Sequence, residues 1–344
     1  MTPKKLNTIE IFGTFSGLKM NTTKTKIVWI GRKKHSKDKL ICNSKLDWGT
    51  TCFTLLGILF SVKLKNIPLM NFTKALEIAK KLLSDWKKRL LTPIGKITII
   101  KTFVLPQFIH LFTSIPSPSK EFIKKLNEMF YNFIWDNKPD KIKRKYITQD
   151  HKNAGLRMVD LDTFIVSLKL SWIDRIVKSS RKDYIIIFEK SMSPLNKFLK
   201  MGMDWTKMVI QKSNNIFWNQ VLSTWVKFSE NAVISDNNDI LTCPIWYNPL
   251  ISKNSFYFPK WYKNGISMVG DILNNQGQIL EQREIERKYN LSQVNFLDYH
   301  SVKVSVSNFL AKNKIGNTFA LSLHPCIPIM YLFYCLIRRV QKFL

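Results

Sequence analysis

The run Asn71-Phe-Thr-Lys-Ala-Leu-Glu-Ile-Ala-Lys-Lys-Leu-Leu-Ser-Asp-Trp-Lys-Lys-Arg-Leu90 decides how the chain folds. Asn71, Phe72, Leu76, Ala79, Leu83, Trp86 and Leu90 recur every three or four residues and share one helix face, while Lys74, Lys81 and Lys88 fall on another. The stretch therefore predicts a long amphipathic helix with a basic outer surface. Thr92-Pro93 follows as an N-cap with proline at the first helical position, opening a helix that runs to about Leu105 and stops at Pro106. Ser117-Pro118 or Ser119 opens another, with Phe122, Leu126, Phe130, Phe133 and Ile134 facing inward. Lys138 to Lys145 reads as a basic linker and Gly155-Leu156 as a turn. Asp162 is placed to cap a helix through Lys178 that carries Phe164, Leu168, Trp172 and Ile176.

Outward from this helical stretch the pattern is more mixed. Leu6, Ile9, Phe12 and Phe15 give a short helical repeat, stopped by Ser16-Gly17 with Gly17 as the C′ residue. Lys26 to Ile30 is a β-rich run ending at Gly31, residues 32–50 are polar and basic, and Phe53 to Phe60 is an apolar strand interrupted at Gly57. Beyond 181, Phe217, Trp218, Trp225, Trp246 and Trp261 read as core aromatics, and Pro244, Pro249 and Pro259 punctuate an irregular stretch. Gly265 to Leu273 and Gln278 to Tyr289 predict two short helices. The expected fold class is α+β, mainly α-helical.

Charge narrows the function. The 344 residues carry 54 Lys and Arg against 24 Asp and Glu, a net charge of +30. Such an excess repels itself unless an anion neutralises it, and nucleic acid is the usual partner, with an anionic membrane surface second. Aromatic residues make up 12% of the chain, including ten Trp, which excludes a disordered basic tail. Residues 1–160 hold 31 basic and 11 acidic residues and residues 161–344 hold 23 and 13, so a nucleic-acid face is expected in the first half. Five Cys with no Cys-x-x-Cys pair exclude a disulfide framework, and five His add no zinc spacing. The nearest is His324-x-Cys326 with Cys335. The start lacks the apolar core of a secretory signal, and Ile327 to Ile337 is too short to span a bilayer. The expectation is an intracellular protein with no transmembrane segment.

Several blocks then share one family pattern. Ser16-Gly-Leu-Lys-Met-Asn21-Thr-Thr-Lys24-Thr25, followed by the strand Ile27 to Gly31, resembles the late palm motif of reverse transcriptases from non-LTR, LINE-type retrotransposons. Phe53-Thr-Leu-Leu-Gly57-Ile58 resembles their primer-grip hairpin. Trp86-Lys-Lys-Arg89-Leu-Leu-Thr92-Pro-Ile-Gly95-Lys96-Ile, with Lys101 and Leu105-Pro106, resembles the thumb, as do Phe133-Ile-Trp135, Gly155-Leu-Arg157-Met-Val-Asp160 and Leu168-Lys-Leu-Ser-Trp-Ile173. Pro244-Ile-Trp246-Tyr-Asn248-Pro249, Trp261-Tyr262 and Gly265-Ile266 resemble the region beyond the thumb. The blocks follow the family order over nearly the whole chain.

The resemblance implies three regions: a late palm remnant with the primer-grip hairpin over 1–70, a helical thumb-like domain over 71–180, and the polymerase's mixed, mostly helical C-terminal region over 181–344. It implies that Gly17, Asn21 and Lys24 lie near the incoming nucleotide's phosphates, and that Leu56 and Gly57 belong to the primer grip. Arg89, Lys96, Lys101, Lys143, Arg144 and Lys145 are then candidates for the template-primer backbone. Plain alternatives stand beside these: Lys24 as an exposed loop lysine, Gly57 as a bulge glycine, and Arg89, Lys96 and Lys101 as a solvated helix surface. Asn21 could brace its turn through side-chain hydrogen bonds. Trp86 and Trp172 read as core residues rather than base-stacking platforms.

The family's polymerase needs two Mg²⁺ ions held by paired carboxylates. The sequence has no Asp-Asp dipeptide, and residues 1–15 hold one acid, Glu10. The expectation is a C-terminal fragment that binds RNA, DNA or an RNA–DNA hybrid in a nuclear or cytoplasmic ribonucleoprotein, binds no cofactor itself and does not polymerise. A host-adopted, non-catalytic nucleic-acid-binding protein is the alternative, and a basic membrane-surface protein the less favoured one. The hairpin's neighbour is expected to be the Ile27 to Ile30 strand, leaving an open apolar edge.

Overall fold

A computed structural model of the protein describes residues 3–19, 21, 25–29, 31, 47–48, 51–178, 182–230 and 237–313. The described chain is mainly helical and divides into two units, Met1–Arg144 and Lys145–Leu344. The sequence expectation drew a boundary near 180. The helix over 161–178 packs on that over 216–230, so packing assigns it to the second unit.

In the first unit, α1 (Pro3–Ser16) ends as expected at Gly17, whose φ of +71° closes the helix in the left-handed region. Strand β1 is shorter than expected, Lys26–Ile27, and pairs in parallel with β2 (Asp47–Trp48). The apolar run near 53–60 is a hairpin, β3 (Cys52–Leu55) and β4 (Ile58–Ser61), turning through Leu56 and Gly57 at φ +49° and +80°. Two positive φ values in a two-residue loop match the right-handed twist of the strands, and glycine takes the second without strain.

Among the described residues the hairpin is a sheet of its own, and β1 is not its neighbour. One position on the outer edge of β4 is met by a side chain instead. The Asn71 carboxamide accepts from the Leu59 N–H at 2.8 Å and donates to the Leu59 carbonyl at 2.8 Å. Leu59 sits opposite Thr54, at a position whose backbone groups point away from the partner strand. Asn71 also donates to the Ile67 carbonyl and is only 4% exposed, which explains an asparagine on an apolar face.

Helix α2 (Ile67–Lys87) buries Phe72, Ala75, Ala79 and Leu83. It ends before Leu90, which is fully exposed rather than on the packed face. Thr92 caps α3 (Pro93–Ile99), its hydroxyl accepting from the Gly95 N–H. Pro106 does not end the structure. Residues Ile100–Val104 widen into a π turn, with the Leu105 N–H reaching Ile100, and Pro106 then opens α4 (Pro106–Ser114) across a 48° bend. A wide turn absorbs the hydrogen bond that proline cannot make. Ser119 caps α5 (Lys120–Ile134). Phe72, Phe108, Phe112 and Phe122 interlock where α2, α4 and α5 meet, with ring centroids 5.2–6.5 Å apart.

The short α6 (Arg144–Ile147) leads to a bend at Gly155, where any Cβ would lie 2.0 Å from the Gln149 carbonyl oxygen. The cap of α7 (Leu161–Lys178) is Asp160, two residues before the expected Asp162. The Asp160 carboxylate accepts from both the N–H and the hydroxyl of Thr163. Five helices follow: α8 (Lys182–Ser191), α9 (Leu195–Lys200), α10 (Met203–Lys212), α11 (Ile216–Glu230) and α12 (Asn237–Leu241).

The proline-rich stretch then supplies the core of the second unit. Trp246 is completely buried, its ring met edge-on by Phe256, Tyr257, Phe258 and Trp261, and its indole N–H bonds the Ile266 carbonyl at 2.7 Å. Trp261 lies on α13 (Pro259–Lys263). The expected helix over 265–273 is a bridge from Met268 to Pro244 and a single tight turn, Val269–Ile272, held by the Asp271 carboxylate. Residues 278–281 likewise stay extended, Ile279 pairing with Leu273, and α14 (Gln282–Lys288) begins where Glu284 bonds back to the Glu281 N–H. Helix α15 (Phe296–Lys312) buries Tyr299, Val302, Val306 and Phe309.

Candidate nucleic-acid interface

Residues 51–144 carry 17 Lys and Arg against 6 Asp and Glu. Four of these cations form ion pairs among the described residues: Lys88 with Asp85, Lys96 with Asp136, Lys124 with Glu128 and Arg144 with Asp140. Most of the excess is therefore not matched by acids of the same unit. Helix α2 arranges it in rows. Lys74, Lys81 and Lys88 are exposed at seven-residue intervals, and Lys80 and Lys87 form a second row one residue behind. Seven residues rise about 10.5 Å, so each row sets ammonium groups at a regular interval along the helix.

The structure treats the sequence candidates unequally. Gly17 is exposed at the end of α1. The main-chain carbonyl of Asn21, rather than the side chain expected from the sequence, accepts from the N–H and hydroxyl of Thr25 at 3.0 and 2.7 Å. Lys24 lies outside the described residues, as do His324, Cys326, Cys335 and the apolar run Ile327 to Ile337. Leu56 projects from the hairpin tip, 84% exposed, and its carbonyl lies 3.1 Å from the His110 imidazole of α4. Gly57 has open space on its Cβ side.

Lys96 departs from the expected surface stripe. It is 5% exposed, and its ammonium is held by Asp136 at 2.6 Å and by the Ile134 carbonyl at 3.4 Å. Its charge pins α3 to the end of α5 and is already neutralised. That hydrogen bond, helped by the nearby charges of Lys96, Lys87 and Lys138, holds the Asp136 carboxyl below the usual carboxylate range. Lys101 is half-buried in the π turn.

Arg89 is exposed, with its guanidinium 4.4 Å above the Trp86 ring. Trp86 also stacks on Phe103 with ring centroids 5.5 Å apart, so this half-buried indole is already engaged by protein groups. Trp172 is likewise engaged, edge-on to Tyr184, Phe217 and Trp218. Arg144 bonds Asp140 at 2.8 Å and lies 4.2 Å over Tyr131. Lys143 and Lys145 are exposed. Among the described residues no three His, Cys, Asp or Glu side chains gather into a group able to hold a metal ion.

The sequence reading did not single out Lys80, Lys87 and Lys125. They line a groove of about 500 Å³ between α2 and α5. Their signal was present, since Lys80 and Lys87 repeat at the spacing of the Lys74 row, but only the packing of α5 shows that the two rows face different surroundings.

No single helix among the described residues is long and apolar enough to cross a membrane. The bent pair α3–α4 meets that standard of length and composition only when taken together, and its Ile97, Ile100, Val104, Phe108 and Phe112 are core residues of the first unit. No known protein-family model matches the chain.

Proposed function

We propose that the chain is the C-terminal part of a LINE-type reverse transcriptase and that it grips the backbone of RNA or an RNA–DNA hybrid through its first unit without polymerising. The observation that carries the binding is the row of exposed lysines along α2 and its C-cap, Lys74, Lys81 and Lys88, in a unit with few acids. The order of the sequence blocks supports the family reading, and the lack of a paired-carboxylate motif in the sequence supports the absence of nucleotidyl transfer.

The test is binding of the full chain to a 16-base-pair RNA–DNA hybrid across a salt series. Contacts to about five phosphates give a slope of log K against log salt near −4 to −5. The triple variant Lys74→Gln, Lys81→Gln, Lys88→Gln should be shallower by about 2.7, at 0.9 per phosphate contact. Salt-insensitive binding, or an unchanged slope in the variant, defeats this assignment. Stronger retention on anionic vesicles than on the hybrid would transfer the basic surface to a membrane.

A further inference from the structure

The groove between α2 and α5 has a chemistry that the backbone-binding reading does not use. Its floor is apolar, made by Leu76 and Leu83 of α2 and Met129 and Phe133 of α5. Its rim is basic: Lys80, Lys87 and Lys125 are exposed around it, opposed by one acid, Glu128. Lys80 and Lys87 stand two helical turns apart, about 10.5 Å along α2. Ser84 is exposed between them, and Asn132 and Asn137 add polar groups on the other side.

A nucleic-acid backbone fits this arrangement poorly. Phosphates and sugars have no apolar ridge to cover the Leu and Met side chains, and a strand lying on the rim would leave the floor wet. A neutral apolar helix would cover the floor but bring nothing to the three ammonium groups. The complementary object is a helix with apolar residues at i, i+3 or i+4, and i+7 and acids on both shoulders.

We infer that this groove docks an acidic amphipathic helix of a partner protein, its leucine-type ridge on the half-buried Leu76 and Met129 and its carboxylates on Lys80, Lys87 and Lys125. The inference stands on the groove alone and holds whether or not the first unit binds nucleic acid.

The probe is a displayed library of 16-residue helices with leucine fixed at i, i+3 and i+7 and every shoulder position randomised, selected against the full chain. The selected helices should carry Asp or Glu on both shoulders and lose at least tenfold in affinity to Ser84→Trp, which fills the groove from an exposed position. Lys80→Glu with Lys87→Glu should turn the selected shoulders toward Lys and Arg. In the same Ser84→Trp chain, hybrid binding should stay within twofold of the parent. Neutral or basic shoulders selected by the parent chain, or binders indifferent to Ser84→Trp, overturn the inference. So does a tenfold loss of hybrid binding in Ser84→Trp without loss of helix binding, which would make the groove a nucleic-acid site.

Discussion

Each unit buries a lysine, and the surroundings differ in kind. In the first, Lys96 meets the Asp136 carboxylate, and the aromatic Phe133 ring is only a distant neighbour at 5.8 Å. In the second, Lys169 of α7 is 1% exposed and lies 4.6 Å over the Phe217 ring of α11. The difference follows the composition of the two parts. Residues 51–144 carry a net +11 over 94 positions, whereas 145–313 carry 22 basic and 15 acidic residues, +7 over 169 positions. The first unit keeps unmatched cations on helix surfaces around an aliphatic and phenylalanine core. The second balances its charges more closely and commits its tryptophans to the interior. Charge on one side and ring packing on the other give the two parts different points of failure.

The largest expected effect is on the ring-packed side. Trp246→Ala removes a wholly buried indole, four ring contacts and the bond to the Ile266 carbonyl. Such truncations cost about 3–5 kcal/mol. Urea unfolding followed by hydrogen exchange should show α11 and α15 losing protection at lower denaturant, while α2 and α5 keep theirs. A matching loss in α2 and α5 would mean that the two units unfold as one, and the contrast drawn between them would fail.

On the other side the sharpest probe is Asn71→Leu. Leucine has similar bulk but leaves the Leu59 N–H and carbonyl without their partner. Leaving such groups unsatisfied costs about 1–3 kcal/mol. Amides of residues 52–61 should exchange faster in the variant, with those of α5 unchanged. Equal exchange in variant and parent would show that the hairpin holds its place without this side chain.

Periodic features were readable in the sequence because they are local. The inward residues of α5 and the caps Thr92 and Ser119 follow from spacing and from a side chain's reach to its own backbone. What escaped depends on distant partners. Asn71 looked like one more residue on an apolar stripe, because its purpose lies twelve positions back at Leu59. Lys96 looked like a surface cation, because its carboxylate is forty residues away. Pro106 looked like a terminator, because no local residue pattern announces the π turn that precedes it. Asp162 outranked Asp160 as a cap only until Thr163 showed which carboxylate the first turn bonds. The pairing of β1 with β2 rather than with the hairpin is the same kind of long-range choice. Of the candidate interface, the Lys74 row was legible and the groove beside it was not, since a groove needs two helices.

The smallest effects are pH signatures, and they should fall in different pH windows in the two units, acidic in the first and neutral to alkaline in the second. Asp136 is held below the usual carboxylate range chiefly by its hydrogen bond from Lys96, so the pair contributes stability above the unfolded carboxylate value of about 3.9. That contribution is lost as pH falls through the lower folded value. Asp136→Asn should therefore flatten the acid loss of the first unit below about pH 4, modestly, since Asp136 is half exposed and screened by water. Burial pushes Lys169 down from 10.5 to about 7. Below that value the lysine is charged in both states. Between about 7 and 10.5 the unfolded chain holds a proton that the folded one has released, so stability rises with pH across this window. The rise between pH 7 and pH 8 is about 1 kcal/mol, and Lys169→Met should abolish it. Denaturation midpoints of each unit at pH 3, 4, 7 and 8, read by exchange in α2 and α11, separate the two. Parallel pH profiles in parent and Lys169→Met would show that the ammonium is not buried against Phe217 in solution, and the contrast between the two lysines would collapse.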